Sequence, residues 1–347
     1  MLHIVATQVK HGRGGISTAL VGFTESPLLQ AHGYRVIESH KAGAKIKAFI
    51  QSVRQIRRDV KPGDDVWLHC GPWFSMFRKY LLARVARAQG ANVYFHFHSS
   101  YMIKYFQRWW SRQLVRIMLR SCTGVIVLTP WWKRFLNTYI PSKTPVHILS
   151  NPLESTWAAL AKQPELPVLN ERVTILTMTR LIEEKGVQDV IRAMQLLPSN
   201  FDLKIAGDGE EMENLQALTK ELGLDDRITF LGWIYYEQKL ELLKSCHIFC
   251  LPSRYDSFGM GYVEAMSAGM PVVALHREAI PDVVKHGETG ILTHDAEPSS
   301  LAEAITHCYQ HREKLGTAAK QHVLESFDAD AIVNHLIHDV LGSATSQ

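Results

Sequence analysis

Two cations and two carboxylates in the second half of this 347-residue sequence have the types and spacing to handle a phosphorylated, hydroxyl-rich substrate. Arg180 and Lys185 lie in Arg180-Leu181-Ile182-Glu183-Glu184-Lys185-Gly186, directly after an apolar run. A departing diphosphate gathers negative charge, and a cation about 4 Å away is worth roughly 4 kcal/mol at an effective dielectric near 20. An arginine forks onto phosphate oxygens while a lysine acts as a point charge, so the pair is complementary. As plain surface cations near a helix start they would be misplaced, because the helix dipole favours anions there. Asp256 and Glu264 sit in Asp256-Ser257-Phe258-Gly259-Met260-Gly261-Tyr262-Val263-Glu264. The glycines permit close backbone approach, and a helix is predicted from near Gly259 to Gly269 with its first N–H groups free for a polar or anionic ligand. Carboxylates accept hydrogen bonds from vicinal sugar hydroxyls. The bland alternative is an Asp helix cap followed by a solvated Glu.

The first half offers weaker signals. Gly12-Arg13-Gly14-Gly15 opens a helix after the first apolar run, where small residues let backbone N–H groups approach a phosphate or an acceptor. It is not a dinucleotide fingerprint, since Ser17 stands where the third glycine belongs. His96 and His98 alternate with Phe95 and Phe97 and therefore share one face of a strand. His98 lies nearer the carboxyl end, where ligands collect, and His96 reads as a satisfied core residue. No His or carboxylate at metal-ligand spacing adjoins His98, and Cys246 and Cys250 fall around a buried apolar run, so no metal site is expected. Asp328-Ala329-Asp330 precedes a helix that Asp330 is expected to cap.

These residues need a scaffold, and the sequence spells one. Short apolar runs at 2–7, 34–39, 65–70, 92–98, 124–129 and 146–150 alternate with helix-length segments. A proline-containing stretch with Pro152, Pro164 and Pro167 follows as a hinge. A second series runs through 173–179, 202–207, 228–232, 248–253, 271–275 and 289–293. Two successive α/β series predict two lobes with a ligand cleft between them. The apolar residues of 331–341 recur at helical spacing and should pack on one or both lobes.

Asp256 to Glu264, with Ala265-Met266-Ser267-Ala268-Gly269-Met270-Pro271-Val272-Val273 after it, resembles the acidic-x7-Glu signature of retaining glycosyltransferases of the GT-B fold, family GT4. Arg180 through Lys185-Gly186 resembles the family's Arg-x4-Lys-Gly, and Gly207-Asp208-Gly209 its Gly-x-Gly. Leu231-Gly232 and Gly287-Glu288-Thr289-Gly290 follow in the expected order, while Gly14-Gly15 and His98 occupy the family's places in the first half. The likeness is strong over 173–293 and weaker before 150. It implies an α/β protein of two Rossmann-like domains with parallel sheets facing across a cleft. Residues 1–155 would form an acceptor domain, with a helix of about 329–347 packing back on it, and 156–328 a donor domain. It implies a nucleoside-diphosphate sugar as co-substrate, with UDP or GDP as the nucleotide, and no other cofactor. Asp256 and the N–H groups of Phe258, Gly259 and Met260 would grip the sugar, Glu264 the ribose, and Arg180 and Lys185 the diphosphate, with His98 touching the transferred sugar. The family usually has Glu at the first acidic position. Asp256 is one methylene shorter, which implies a compensating loop or a different donor.

Composition sets the remaining bounds. Hydrophobic residues make up 46% and charged residues 21%, an ordinary globular mixture. The net charge of +4 conceals a dipole: residues 1–150 hold 22 Lys and Arg against 5 Asp and Glu, leaving 16 against 29 for the remainder. Such a basic half seeks an anionic partner. The segment from Tyr101 to Arg120 mixes Trp109 and Trp110 with Lys104, Arg108, Arg112 and Arg116, suiting peripheral contact with an anionic membrane more than nucleic acid. Five scattered cysteines argue against a disulfide framework, and the N-terminus reads as a first strand and not a leader, so a cytoplasmic protein is expected, perched at the inner membrane face. The acceptor would be a glycan or a lipid-linked glycan. Two rivals stay open: a two-domain dehydrogenase, and a nucleic-acid-binding protein using the basic half.

Overall fold

The computed structural model describes residues 1–6, 15–40, 45–120, 122–140, 144–169 and 171–342. The chain divides into two compact units, Met1–Ser155 together with Phe327–Gln347, and Thr156–Ser326. Each is built on one six-stranded sheet paired in parallel throughout.

In the first unit the strands are β1 (Leu2–Ala6), β2 (Tyr34–Glu38), β3 (Asp65–Cys70), β4 (Asn92–Phe97), β5 (Gly124–Val127) and β6 (Val146–Ile148). They lie in the order β2-β1-β3-β4-β5-β6. The second unit has β7 (Val173–Met178), β8 (Phe201–Ala206), β9 (Ile228–Gly232), β10 (Ile248–Leu251), β11 (Val272–Leu275) and β12 (Gly290–Thr293), in the order β12-β11-β10-β7-β8-β9. All twelve apolar runs of the sequence are strands. Helices on both faces of a parallel sheet bury its inner strands irrespective of alternation, which explains the unbroken apolar runs there, whereas β2, β8 and β9 carry polar or exposed positions. β10 and β11 are buried at every position.

The order reverses between β1 and β3 in one sheet and between β7 and β10 in the other. At such a switch point the loops leaving two adjacent strands diverge to opposite faces, and the carboxyl ends of those strands frame a crevice. The second unit places there the loop after β7, carrying Arg180 to Gly186, and the loop after β10, carrying Pro252 to Gly259.

The C-terminal segment belongs to the first unit. Asp328 caps the helix Ala329–His335 by accepting from the Ala331 N–H at 2.8 Å, while Asp330 accepts from the Ser26 hydroxyl at 2.7 Å. This corrects the expectation that Asp330 would be the cap. The side-chain oxygen must stand just before the first helical turn to reach the N–H groups, and Asp330 is already inside it. His335 then bonds the Ile148 carbonyl at 3.1 Å, tying the helix to the edge strand β6.

Candidate functional site

Three loops of the second unit interlock at the carboxyl ends of β7, β8 and β10, and glycines make the close approaches possible. Gly186 holds φ at 72°, ends the short turn Glu183–Lys185, and would carry a Cβ only 2.6 Å from the Pro252 carbonyl oxygen. Gly207 has φ of 149°, and a Cβ there would overlap the Thr179 carbonyl oxygen. A Cβ on Gly209 would overlap the Leu181 oxygen in the same way. The Leu181 N–H donates to the Asp208 carbonyl at 3.0 Å and the Arg254 N–H to the Glu184 carbonyl at 2.8 Å. The resemblance implies that Gly207 is a donor-binding residue, and its geometry also makes it a packing requirement.

Within this frame Lys185 reaches across to the β10 loop. Its ammonium donates to Asp256 Oδ2 at 2.8 Å, the Tyr255 carbonyl at 3.1 Å and Ser253 Oγ at 3.4 Å. Both ends of the ion pair are largely shielded, at 15% and 16% exposure. The structure therefore brings together one cation and one carboxylate that the sequence assigned separately. Arg180 stands exposed where β7 ends. A second ion pair, Arg254 to Asp189 at 2.7 Å, braces the β10 loop against the helix Val187–Ala193.

Gly259 takes a left-handed conformation, φ 85° and ψ 63°, and starts the helix Met260–Ser267. Any Cβ there would strike the Tyr262 ring, whose hydroxyl donates to the Leu251 carbonyl at 3.0 Å. Phe258 is buried and Met260 half-buried at this helix start. Glu264, 3% exposed, pairs with Lys239 at 2.5 Å. Lys239 also lies 5.4 Å from the centre of the buried Trp157 ring. Sequence reading missed Lys239, which sits on the helix Tyr236–Ser245 with no motif to flag it.

The first unit gathers imidazoles. β3 and β4 pair with His69 opposite His96, and His98 follows on the same face. His69 Nδ1 and His98 Nε2 are hydrogen-bonded at 2.9 Å, and one nitrogen from each of the three rings falls within 4.8 Å of the others. This corrects two expectations. His98 does have a histidine neighbour at ligand distance, and His96, fully buried, leaves both ring nitrogens without hydrogen-bond partners. The partner came from a neighbouring strand, which spacing along one strand cannot show. Burial holds His69 and His96 well below the ordinary histidine range, with the neighbouring His98 adding to it. His98, half-buried, is pushed down to about 3 by burial and then by the charge of Lys79. Lys79, itself buried and lowered to about 7 by its burial, opposes a cation among these rings. Of the glycine pair, Gly14 lies outside the described residues and Gly15 begins the helix Gly15–Glu25.

Residues 161–322 match the family described as Glycosyl transferases group 1, and residues 13–156 match Glycosyltransferase Family 4. An uncharacterized glycosyltransferase of Methanocaldococcus jannaschii is 32% identical over 176 residues, 49% of this chain and 45% of its own length. The N-acetyl-alpha-D-glucosaminyl L-malate synthase of Bacillus anthracis is 32% identical over 165 residues, 45% of this chain and 43% of its own. The chain thus spans less than half the length of these curated relatives. Among solved structures, the sucrose-phosphate synthase of Thermosynechococcus elongatus superposes with a TM-score of 0.80 at 19% identity, covering 100% of this chain and 99% of that one. Anabaena HepE, solved with UDP and glucose, gives 0.75 at 20% identity over 99% of each chain. At such identities the likeness shows the fold.

Proposed function

Starting from a chain that belongs to the glycosyltransferases of family GT4 with the GT-B fold, we propose that it moves a sugar from a UDP or GDP donor to an acceptor hydroxyl. The observation that carries this reading is the Lys185–Asp256 pair at the switch point of the second sheet. It sets a cation and a carboxylate side by side where ligands of such sheets bind, which is what a charged diphosphate joined to a hydroxylated ring requires. The complexes of HepE with UDP and with UDP-glucose support the class of donor.

In this reading Arg180 and Lys185 meet the diphosphate, so that negative charge building on the leaving group is stabilised without reorganisation. Asp256 and the N–H groups of Phe258, Gly259 and Met260 hold the sugar, and Glu264 accepts from the ribose hydroxyls. Transfer proceeds with retention, the leaving phosphate taking the proton of the incoming hydroxyl on the same face, and no protein nucleophile is used. His98 of the first unit is assigned to the transferred sugar and Gly15 to the donor or acceptor. No metal ion is needed, since the two cations and the helix start at Met260 already oppose the diphosphate.

The acceptor is a lipid-linked or surface glycan, and the first unit rests on an anionic membrane. Among the described residues no helix is long and apolar enough to cross a membrane. The segment after Tyr101 breaks at Arg108 into the helices Met102–Gln107 and Trp109–Leu119. Phe106 is buried in it, whereas Trp109 and Trp110 are 69% and 54% exposed. Trp110 stacks at 6.0 Å on Trp73, next to the 91% exposed Phe74, with Arg108 and Arg120 also at the surface.

Incubation with UDP- and GDP-sugars and a simple alkyl glycoside acceptor tests the chemistry. The reading expects nucleoside diphosphate release that EDTA does not reduce, and a product whose anomeric configuration, by proton NMR, matches the donor's. Inverted product would remove the retaining mechanism, and no release from any sugar nucleotide would remove the function.

A further inference from the structure

β10 and β11 are parallel neighbours, with Phe249 opposite Val272, so the loops leaving their carboxyl ends lie side by side. Asp256 is on the first loop and Glu278 on the second. Glu278 is the residue other than glycine that takes a positive φ among the described residues, at 51°. Its carboxylate is 14% exposed and pairs loosely through Oε1 with Arg277, whose Nε lies 3.6 Å away, while Oε2 is buried without a hydrogen-bond partner. Burial raises its pKa above the ordinary carboxylate value, Arg277 partly offsets this, and Asp256 is near enough for its charge to act in the raising direction. An L side chain in the left-handed region, a shielded carboxylate oxygen with no donor of its own and a like charge nearby are three separate costs. They persist where something outside the chain supplies the missing donor, and a sugar ring carries O–H groups for that purpose.

We propose that Glu278 is a specificity-determining residue that accepts a hydrogen bond from a donor-sugar hydroxyl adjacent to the one held by Asp256. This rests on the donor reading above and deepens it: the shortened reach of Asp256 is matched by a second carboxylate from the neighbouring strand, so that two acceptors read a vicinal diol. The alternative is that Glu278 merely shapes its loop.

Calorimetry with UDP, GDP, UDP-glucose, UDP-galactose, UDP-N-acetylglucosamine and GDP-mannose on the full chain identifies a nucleotide and a conjugate that bind. Glu278→Gly and Glu278→Gln are then titrated with both. Glycine accepts φ of 51° without strain, so Glu278→Gly is expected to melt no lower than the parent. Nucleotide affinity should stay within about twofold, while conjugate affinity falls at least about tenfold in Glu278→Gly and less in Glu278→Gln, which keeps an acceptor oxygen. Parental conjugate binding by Glu278→Gly, or equal loss of nucleotide and conjugate, would overturn the assignment. Failure of the parent protein to bind any nucleotide would instead sink the donor reading, and this inference with it.

Discussion

At the scale of single residues, Glu264 and Lys239 make the clearest prediction. Removing one member of a shielded ion pair strands the other, at a cost of about 1–3 kcal/mol. Lys239→Met should lower the unfolding free energy by that amount in urea titration, and Lys239→Arg should restore most of it. An unchanged midpoint for Lys239→Met would show that Glu264 draws its support elsewhere. The buried imidazoles give a pH dependence. An unfolded histidine takes up its proton near pH 6.5, whereas folded His69 and His96 resist it. Their neutral forms therefore stabilise the fold fully above about pH 6.5 and progressively less below it, by about 1.4 kcal/mol per pH unit for each. His96→Leu should flatten the fall of the melting temperature between pH 6.5 and 5. Lys185, Asp256 and Glu264 could be read from the sequence because each stands in a short local motif. Lys239, His69 and Glu278 could not. Their significance lies in a partner on another element or in a backbone angle, and neither is written in local spacing.

At the scale of elements, the inner strands were legible because a sheet covered on both faces demands unbroken apolar runs, and the outer ones because short apolar-rich stretches alternate with helix-length segments. Their lateral order was not, since pairing depends on crossovers that leave no local trace. The switch point, and with it the reason that the loops after β7 and β10 meet, came from the structure. That meeting depends on glycines with no room for a side chain. Gly207→Ala combines an unfavourable φ with overlap of the Thr179 oxygen and should cost at least about 2 kcal/mol or prevent folding. Gly223→Ala, at φ of 64° with open space around it, should cost only about 1 kcal/mol. Equal melting temperatures for the two variants would refute the packing role assigned to Gly207. The break at Arg108 was equally hidden from sequence, since nothing in the mixed aromatic and basic residues of 101–120 signals it.

At the scale of the whole molecule, the charge division and the exposed Trp109 and Trp110 combine into one expectation. The protein should sediment with vesicles containing anionic lipid at low salt and be released at high salt, as screening shortens the reach of its cations. Replacing both tryptophans with serine should weaken the association several-fold without altering donor turnover, and equal binding to neutral vesicles would defeat the electrostatic account. The central claim concerns the second unit, where a cation and a carboxylate from separate loops converge on one activated sugar. Calorimetric titration of UDP and GDP into the parent protein, Arg180→Ala and Lys185→Ala tests it most directly. The account predicts that one nucleotide binds the parent and that each variant loses at least about tenfold in affinity, about 1.4 kcal/mol, with the melting temperature nearly unchanged in Arg180→Ala and modestly lowered in Lys185→Ala, which strands Asp256. Parental affinity in both variants would contradict it.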